Sequence, residues 1–292
     1  MTTPRILVTG TGGQVGGELA RLLPPHGEVV ACDRATLDLA DPDAIVATMR
    51  RVRPDVVVNA GAYTAVDLAE RERAAAFAVN ARAPQVLGEE AKRSGALLVH
   101  YSTDYVFDGR GTTPYDEGAP TGPLNVYGES KLAGEQAIAA TGAAALVLRT
   151  SWVYGLTGKN FLRTIQRLAA ERDELRIVAD QTGTPNWSRV LAEATVRLVA
   201  LGLPALRERA GLYHFSSNGA TTWHGFARAI VGDASTPRVT PIATADYPTP
   251  ARRPAYGVLA TDRFERTFGF ALPAWDAALA GCLAEDGAAR AA

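Results

Sequence analysis

Arg5-Ile6-Leu7-Val8-Thr9 runs directly into Gly10-Thr11-Gly12-Gly13-Gln14-Val15-Gly16. The first five residues read as a short buried strand, and Gly10 to Gly17 as a glycine-rich turn. A helix continues through Glu18 to Leu23. Pro24 and Pro25 stop it, because proline has no N–H to donate and its ring crowds the preceding turn. Gly10, Gly13 and Gly16 have GxxGxxG spacing, and Gly12 adds local freedom. Such a turn lets a pyrophosphate approach the backbone, and the helix behind it offers free N–H groups and a positive dipole end. Because the loop sits in the first strand–helix unit, it predicts dinucleotide binding.

The pattern repeats outward from this loop. Glu28 to Cys32 reads as a second strand. Pro42 suits the first turn of a helix whose apolar positions run from Ala44 to Met49. Asp55 to Asn59 is a third strand. Glu72 to Ser94 is helical, with Pro84 tolerated only at a break or a first turn. Ala96 to Tyr101 is a fourth strand, Asp108 to Pro123 a surface loop, Tyr127 to Ala140 a helix closed by Gly142, and Ala143 to Arg149 a fifth strand. Alternating strands and helices predict an α/β fold: a doubly wound parallel sheet covered on both faces, with a smaller C-terminal lobe. Residues 1–155 form the expected dinucleotide-binding domain. Residues 156–292 form mainly the substrate-binding lobe, with room for strands that return to the main sheet. In the lobe, Phe161 to Ala170, Ser188 to Leu201 and Thr222 to Ile230 read as helices, and Leu175 to Val178 and Tyr213 to Phe215 as strands. Pro237 to Pro254 lacks helical periodicity, and Glu285 to Ala292 is expected to fray apart from a last helical turn.

Composition narrows the function. The 292 residues are 47% hydrophobic, which excludes a disordered chain. Thirty Lys and Arg against 31 Asp and Glu leave a net charge of −1, with no basic excess to hold nucleic acid. Cys32 and Cys282 are too few for a disulfide scaffold or a thiolate metal site. His26, His100, His214 and His224 show no close ligand spacing, so no metal is expected. No apolar stretch has membrane-spanning length and the first residues lack a signal-peptide pattern, so a cytoplasmic protein with no membrane partner is expected.

Chemistry-bearing residues cluster where strands end. Asp33 follows the second strand, 17 residues after Gly16, where a carboxylate can accept both adenosine ribose hydroxyls. Arg34 can pair with a 2′-phosphate, so NADH and NADPH are both expected cofactors. Asp38 and Leu39 are candidates at the adenine. Ala60, Gly61 and Ala62 let the chain pass close to the cofactor. Tyr127 and Lys131 stand four apart and share a helix face. A neighbouring ammonium favours phenolate, so this pair can exchange a proton with a carbonyl or alcohol, and the lysine can also hold the nicotinamide ribose. Thr103, in Ser102-Thr103-Asp104 at the end of the fourth strand, can donate to a substrate oxygen beside Tyr127.

Together these segments make the chain similar to the extended short-chain dehydrogenases/reductases, which are Rossmann-like. More narrowly, it resembles the dTDP-4-dehydrorhamnose reductase family. The resemblance runs from Ile6 to about Phe270 through the glycine loop, Asn59-Ala60-Gly61-Ala62-Tyr63-Thr64-Ala65-Val66-Asp67, Ser102-Thr103-Asp104-Tyr105-Val106-Phe107-Asp108-Gly109, Tyr127-Gly128-Glu129-Ser130-Lys131, Arg149-Thr150-Ser151-Trp152-Val153-Tyr154-Gly155 and Asn160-Phe161. It implies Thr103, Tyr127 and Lys131 as the catalytic trio. The implied cofactor site is Gly10, Gly12, Gly13, Gln14, Val15, Gly16, Asp33, Arg34, Asp38, Leu39, Ala60, Gly61 and Ala62, with Tyr127 and Lys131. The implied substrate site is Thr103, Asp104, Trp152, Asn160 and Arg253. Arg253 has a fork suited to phosphate oxygens. The implied reaction is reduction of the C4 ketone of a dTDP-linked 6-deoxy-hexulose, and the resemblance leaves room for a homodimer. Asn186, Val190, Gly257 and Ala260 depart from the family's usual threonine, aspartate, serine and aspartate. A ketoreductase for another dTDP-deoxysugar, a nucleotide-sugar epimerase or dehydratase, and a regulatory subunit of the methionine adenosyltransferase type are the alternatives.

Overall fold

Three strands with almost uninterrupted apolar runs set the centre of the molecule. In the computed structural model, which describes residues 3–232 and 236–291, these are β1 (Arg5–Thr9), β3 (Val56–Asn59) and β4 (Leu97–Thr103). β2 (Glu28–Cys32) flanks β1. β5 (Ala145–Thr150) flanks β4, and the strand Gly211–His214 pairs with β5 at the far edge. All neighbours are parallel, in the order Gly211–His214, β5, β4, β3, β1, β2.

Side chains alternate between the two faces of the sheet. Ile6, Val8, Val56, Val58, Leu97 and Val99 join one core, with Leu19 of α1 (Gln14–Leu22) and Leu191 and Leu198 of the helix Ser188–Ala200. Leu7, Val57 and Leu98 join the other. They pack against α2 (Pro42–Val52) through Ile45 and Met49, and against later helices through Leu87 and Ile138. Fully burying each such Val, Leu or Ile contributes about 1.5–3 kcal/mol. A continuous apolar run is therefore what a strand covered on both faces requires.

β2 and β3 lie on opposite sides of β1. Their connections diverge there and open a crevice at the carboxyl ends of β1 and β3.

The helical region from residue 72 to 94 is divided by its proline. After α3 (Val66–Ala69) come α4 (Arg73–Phe77), a π-helical turn over Ala78–Arg82, and α5 (Ala83–Ser94), with Pro84 in the first turn of α5. Pro84 has no N–H for the Asn80 carbonyl, so the regular ladder cannot pass through it. α6 (Val126–Thr141) packs on this break. A Cβ at Gly134 would collide with the Asn80 carbonyl oxygen, so glycine allows the close approach.

The C-terminal part holds more structure than its pattern suggests. Arg238–Ile242 is a strand pairing in parallel with Glu174–Val178. A two-stranded ribbon is all edge, so it tolerates Pro241. Leu203–Glu208 and Asp262–Phe268 are helices as well. The end expected to fray is part of a helix, Trp275–Ala291. Leu279 and Cys282 bury in the main core, while Glu285 pairs with Arg189 and Asp286 with Arg163. Ala292 lies outside the described residues, as do Met1 and Thr2 at the other end.

Candidate active site

Gly10 has φ +72°, and a Cβ there would lie 2.5 Å from the Gly61 Cα. The turns after β1 and β3 therefore touch, and only a residue without a side chain fits between them. The Thr11 N–H donates to the Cys32 carbonyl at 3.1 Å, tying the loop to β2. Gly13 caps α1 without a side chain, so the first N–H groups of the helix face outward. Beyond them opens a groove of about 610 Å³. Gly10, Gly12, Gly13, Gln14, Val15, Asp33, Arg34, Asp38, Leu39, Ala60, Gly61, Ala62, Tyr127 and Lys131 all line it. Gly16 lies beneath the turn instead, where a Cβ would collide with the Gly10 carbonyl oxygen. Tyr63 and Thr64, inside the Asn59–Asp67 segment of the resemblance, and Lys159 also line the groove, though none of the three was expected there. The Thr36 hydroxyl and N–H donate to Asp33 Oδ1 at 2.8 and 2.9 Å and hold that carboxyl below its usual range.

At the inner end of the groove, α6 presents Tyr127, Lys131 and Glu135 on one face, each one turn after the last. Asn125 starts this helix by accepting from the Gly128 N–H at 2.8 Å, and Gly142 (φ +64°) ends it. Tyr127 lies beside the Thr103 hydroxyl. Burial pushes its phenol up to about 12, against the pull of that hydroxyl. From the spacing alone, the lysine ammonium is expected to lower this value. In the structure, Lys131 Nζ instead donates to the Tyr101 carbonyl at 2.6 Å and sits 3.2 Å from His100 Nε2. Burial brings Lys131 down to about 8, and Glu135 opposes that fall.

Glu135 is held in turn. It accepts from Ser102 Oγ at 2.5 Å and from the Arg149 fork at 2.9 and 2.6 Å, with every partner buried. A second buried row crosses the ends of three strands. Thr9 Oγ1 donates to Asn59 Oδ1 at 2.7 Å, and Asn59 Nδ2 lies 2.9 Å from His100 Nδ1. Sequence reading missed Asn59, His100 and Glu135 as site residues. Their one available signal is a polar residue closing, or interrupting, an apolar strand, and for Glu135 the repeat of the Tyr–Lys spacing.

Asp104 directly follows Thr103 and is 1% exposed. Thr103 Oγ1 donates to its Oδ1 at 3.0 Å, while Oδ2 is buried without a partner among the described residues. Burial pushes this carboxyl up to about 7. Gly257 makes the room, since a Cβ there would lie 2.5 Å from Asp104 Oδ2. Trp152, at φ +43°, stacks on Trp223 with ring centres 3.6 Å apart and packs against Gly183. Asn160 caps the helix Phe161–Glu171 by accepting from the Arg163 N–H, and its amide nitrogen donates to the Gly155 and Thr157 carbonyls. The Arg253 fork is paired with Asp67 at 3.0 and 2.8 Å. Of the residues that depart from the family pattern, Val190 is in the main core. Asn186 is a buried hub bonded to Ser151, Thr184, Ser216 and Ser217. The Ala260 carbonyl bonds the His214 ring and its N–H the Tyr115 carbonyl. Gly257 is the departure that touches Asp104.

A six-stranded parallel sheet with a glycine turn at its switch point, and a helix carrying tyrosine and lysine one turn apart beside a strand-end threonine, is the build of an extended short-chain dehydrogenase/reductase. Within that class, the chain belongs to the RmlD substrate binding domain family, whose profile matches residues 4–287. It is 50% identical over 294 residues to a dTDP-4-dehydrorhamnose reductase of Burkholderia thailandensis, covering 96% of this chain and 98% of that protein. It is 43% identical to the dTDP-4-dehydrorhamnose reductase of Salmonella typhimurium, covering 96% and 97%. The crystal structure of a dTDP-4-dehydrorhamnose reductase from Bacillus anthracis in complex with NADP superposes with a TM-score of 0.90 at 34% identity, covering 97% of this chain and all of that one. Among the described residues, no cluster of three or more His, Cys, Asp or Glu is placed to hold a metal ion, and no helix is long and apolar enough to cross a membrane.

Proposed function

We propose that this protein is an NAD(P)H-dependent nucleotide-sugar reductase that converts dTDP-4-dehydrorhamnose to dTDP-L-rhamnose. The observation that carries the reading is the contact between Tyr127 and Thr103 at the inner end of a groove whose floor is glycine. The groove suits a dinucleotide: the Gly10–Gly61 contact leaves backbone, not side chains, facing the pyrophosphate, and the start of α1 supplies N–H groups. Bound there, NADH or NADPH supplies the hydride for C4. Tyr127 donates its proton to the C4 oxygen, and its high pKa keeps that proton in place at neutral pH. Thr103 orients the carbonyl, and Lys131 holds the nicotinamide ribose and steadies the phenolate left behind. Arg253, held by Asp67 in the structure, is the candidate anchor for the diphosphate, and Trp152 on Trp223 offers a flat wall. Asp104 and Asn160 complete the proposed substrate side. Holding the nucleotide remotely lets binding energy orient the small ketone.

In this reading residues 1–155 bind the cofactor and do the chemistry, while 156–292 mainly grip the sugar nucleotide. A cytoplasmic homodimer with neither nucleic acid nor membrane as partner completes the proposal. The net charge of −1 supports the nucleic-acid part, and light scattering tests the dimer.

The deciding experiment follows NADH and NADPH oxidation with dTDP-4-dehydrorhamnose and reads the product by NMR. dTDP-L-rhamnose is the expected product. Tyr127→Phe should lower kcat by about 100-fold or more while NADH binding is kept. No turnover of any nucleotide-linked ketone by the wild-type protein would overturn the proposal.

A further inference from the structure

Thr9, Asn59 and His100 sit side by side on β1, β3 and β4, in direct register. Each is fully or nearly fully buried, and the row they form ends at the Lys131 nitrogen. Buried hydrogen-bonding groups must be matched donor to acceptor. Two arrangements match donors to acceptors between Asn59, His100 and Lys131.

In the first, the Asn59 amide nitrogen donates to His100 Nδ1. The neutral imidazole then carries its hydrogen on Nε2, pointing at Lys131 Nζ. Only an uncharged amine can accept it there. This is the orientation in the structure. In the second, Lys131 is an ammonium and donates to His100 Nε2. The ring hydrogen then sits on Nδ1 and needs an acceptor. A half-turn of the Asn59 amide, which leaves its shape unchanged, brings Oδ1 to the ring and the amide nitrogen to the Thr9 hydroxyl. The two states differ by one proton, released to solvent in passing from the second to the first.

We propose that His100 is a positioning residue for Lys131, with its ring tautomer tied to the lysine charge through the Asn59 amide. The proposal rests on the role given to Lys131 above. An ammonium has three hydrogens. The Tyr101 carbonyl takes one and His100 Nε2 takes a second, which leaves the third for the groove that Lys131 lines. His100 thus fixes the direction of the remaining hydrogen and stabilises the charged form. The titratable groups that face Lys131 are Tyr127 and Glu135 on its own helix and His100 on β4, and Glu135 is itself paired with Arg149 of β5. His100 itself stays neutral, because burial first, and then the charge of Lys131, hold its pKa well below the usual value.

Two measurements test this, and the first needs neither substrate nor variant. Nitrogen-15 NMR of the wild-type protein reads the His100 tautomer and the Lys131 ε-nitrogen together across pH. The expected result is the Nδ1–H tautomer while Lys131 is charged, changing to Nε2–H over the pH range in which Lys131 loses its proton. An Nε2–H tautomer throughout, or an imidazolium at neutral pH, would overturn the proposal. The second compares pH profiles of kcat for His100→Leu and His100→Gln. The leucine variant loses the acceptor, so the alkaline limb should move down by about one pH unit, roughly tenfold in rate at a pH on that limb. The glutamine variant restores an oxygen acceptor and should return the limb to within a few tenths of a unit. Equal profiles for the wild type and both variants would overturn it too. If the wild type fails to reduce the sugar, the proposed reaction fails, while the NMR titration still judges His100.

Discussion

Replacing Asp104 by Asn should make the protein relatively more stable as pH rises. The two side chains have nearly the same shape, and Asn keeps the oxygen that accepts from Thr103 Oγ1. Asn cannot ionise. In the wild type, burial raises this carboxyl from its ordinary 3.8 to about 7. Below pH 3.8 both folded and unfolded chains hold the proton, and Asp104 contributes no pH dependence. Between 3.8 and 7 the folded chain holds a proton that the unfolded chain has released, so stability falls as pH rises. Above 7 the penalty is constant at roughly 4 kcal/mol, from 1.36 kcal/mol per pH unit. The part between pH 5 and pH 8.5 is about 2.5–3 kcal/mol. Urea unfolding of both proteins over that range measures it, and the quantity to compare is their stability difference at each pH. Leaving an amide hydrogen unpaired at the position of Oδ2 costs about 1–3 kcal/mol at every pH, so this cost cancels from the slope. A difference that stays flat, or that moves in favour of the wild type as pH rises, would refute the account of Asp104 as a buried carboxyl whose Oδ2 has no partner among the described residues.

Two further outcomes follow from the same structure. Glu135→Ala strips both Arg149 and Ser102 of their acceptor and should cost about 3–5 kcal/mol in unfolding free energy, read by denaturant titration at pH 7. Arg34→Ala should lower kcat/KM for NADPH about tenfold relative to NADH, the effect of about 1.4 kcal/mol from one charge-assisted contact, with equal losses for both cofactors counting against Arg34 at the 2′-phosphate.

What could be read from the sequence was what depends on neighbours along the chain. The glycine loop, the two prolines after α1, Gly142 after α6 and the Tyr127–Lys131 spacing each act within a few residues, and each lies where its local chemistry requires. Pro84 announced a break, though not that the break would be a π-helical turn with α6 packed against its open carbonyl. The strand Arg238–Ile242 was hidden because Pro241 argues against a strand unless the partner is known to be an edge. The last helix was hidden because Ala and Gly carry little amphipathic signal. Its burial of Leu279 and Cys282 and its ion pairs to Arg189 and Arg163 depend on segments about 100 residues away.

The same division separates the parts of the site. Tyr127 and Lys131 could be paired by counting along a helix, but the groups that set their behaviour could not. His100 is 31 residues from Lys131, and Asn59 is 50 from Thr9 and 41 from His100. Only the parallel register of β1, β3 and β4 makes one row of them. The helix contributes the reactive groups and the sheet contributes their surroundings. Burial under that sheet moves Tyr127 up and Lys131 down, so both groups are drawn toward their neutral forms. A proton donor gains from that shift, whereas a cation loses by it. Lys131 Nζ donates to the Tyr101 carbonyl, and one helical turn on the Glu135 carboxylate favours the charged lysine against burial. In the proposed tautomer, His100 Nε2 adds a further acceptor. A lysine in an apolar pocket of the same depth, without them, would be neutral and could no longer steady a phenolate. The polar residues that interrupt the apolar strands are therefore part of the chemistry, although in this reading none of them needs to touch the substrate.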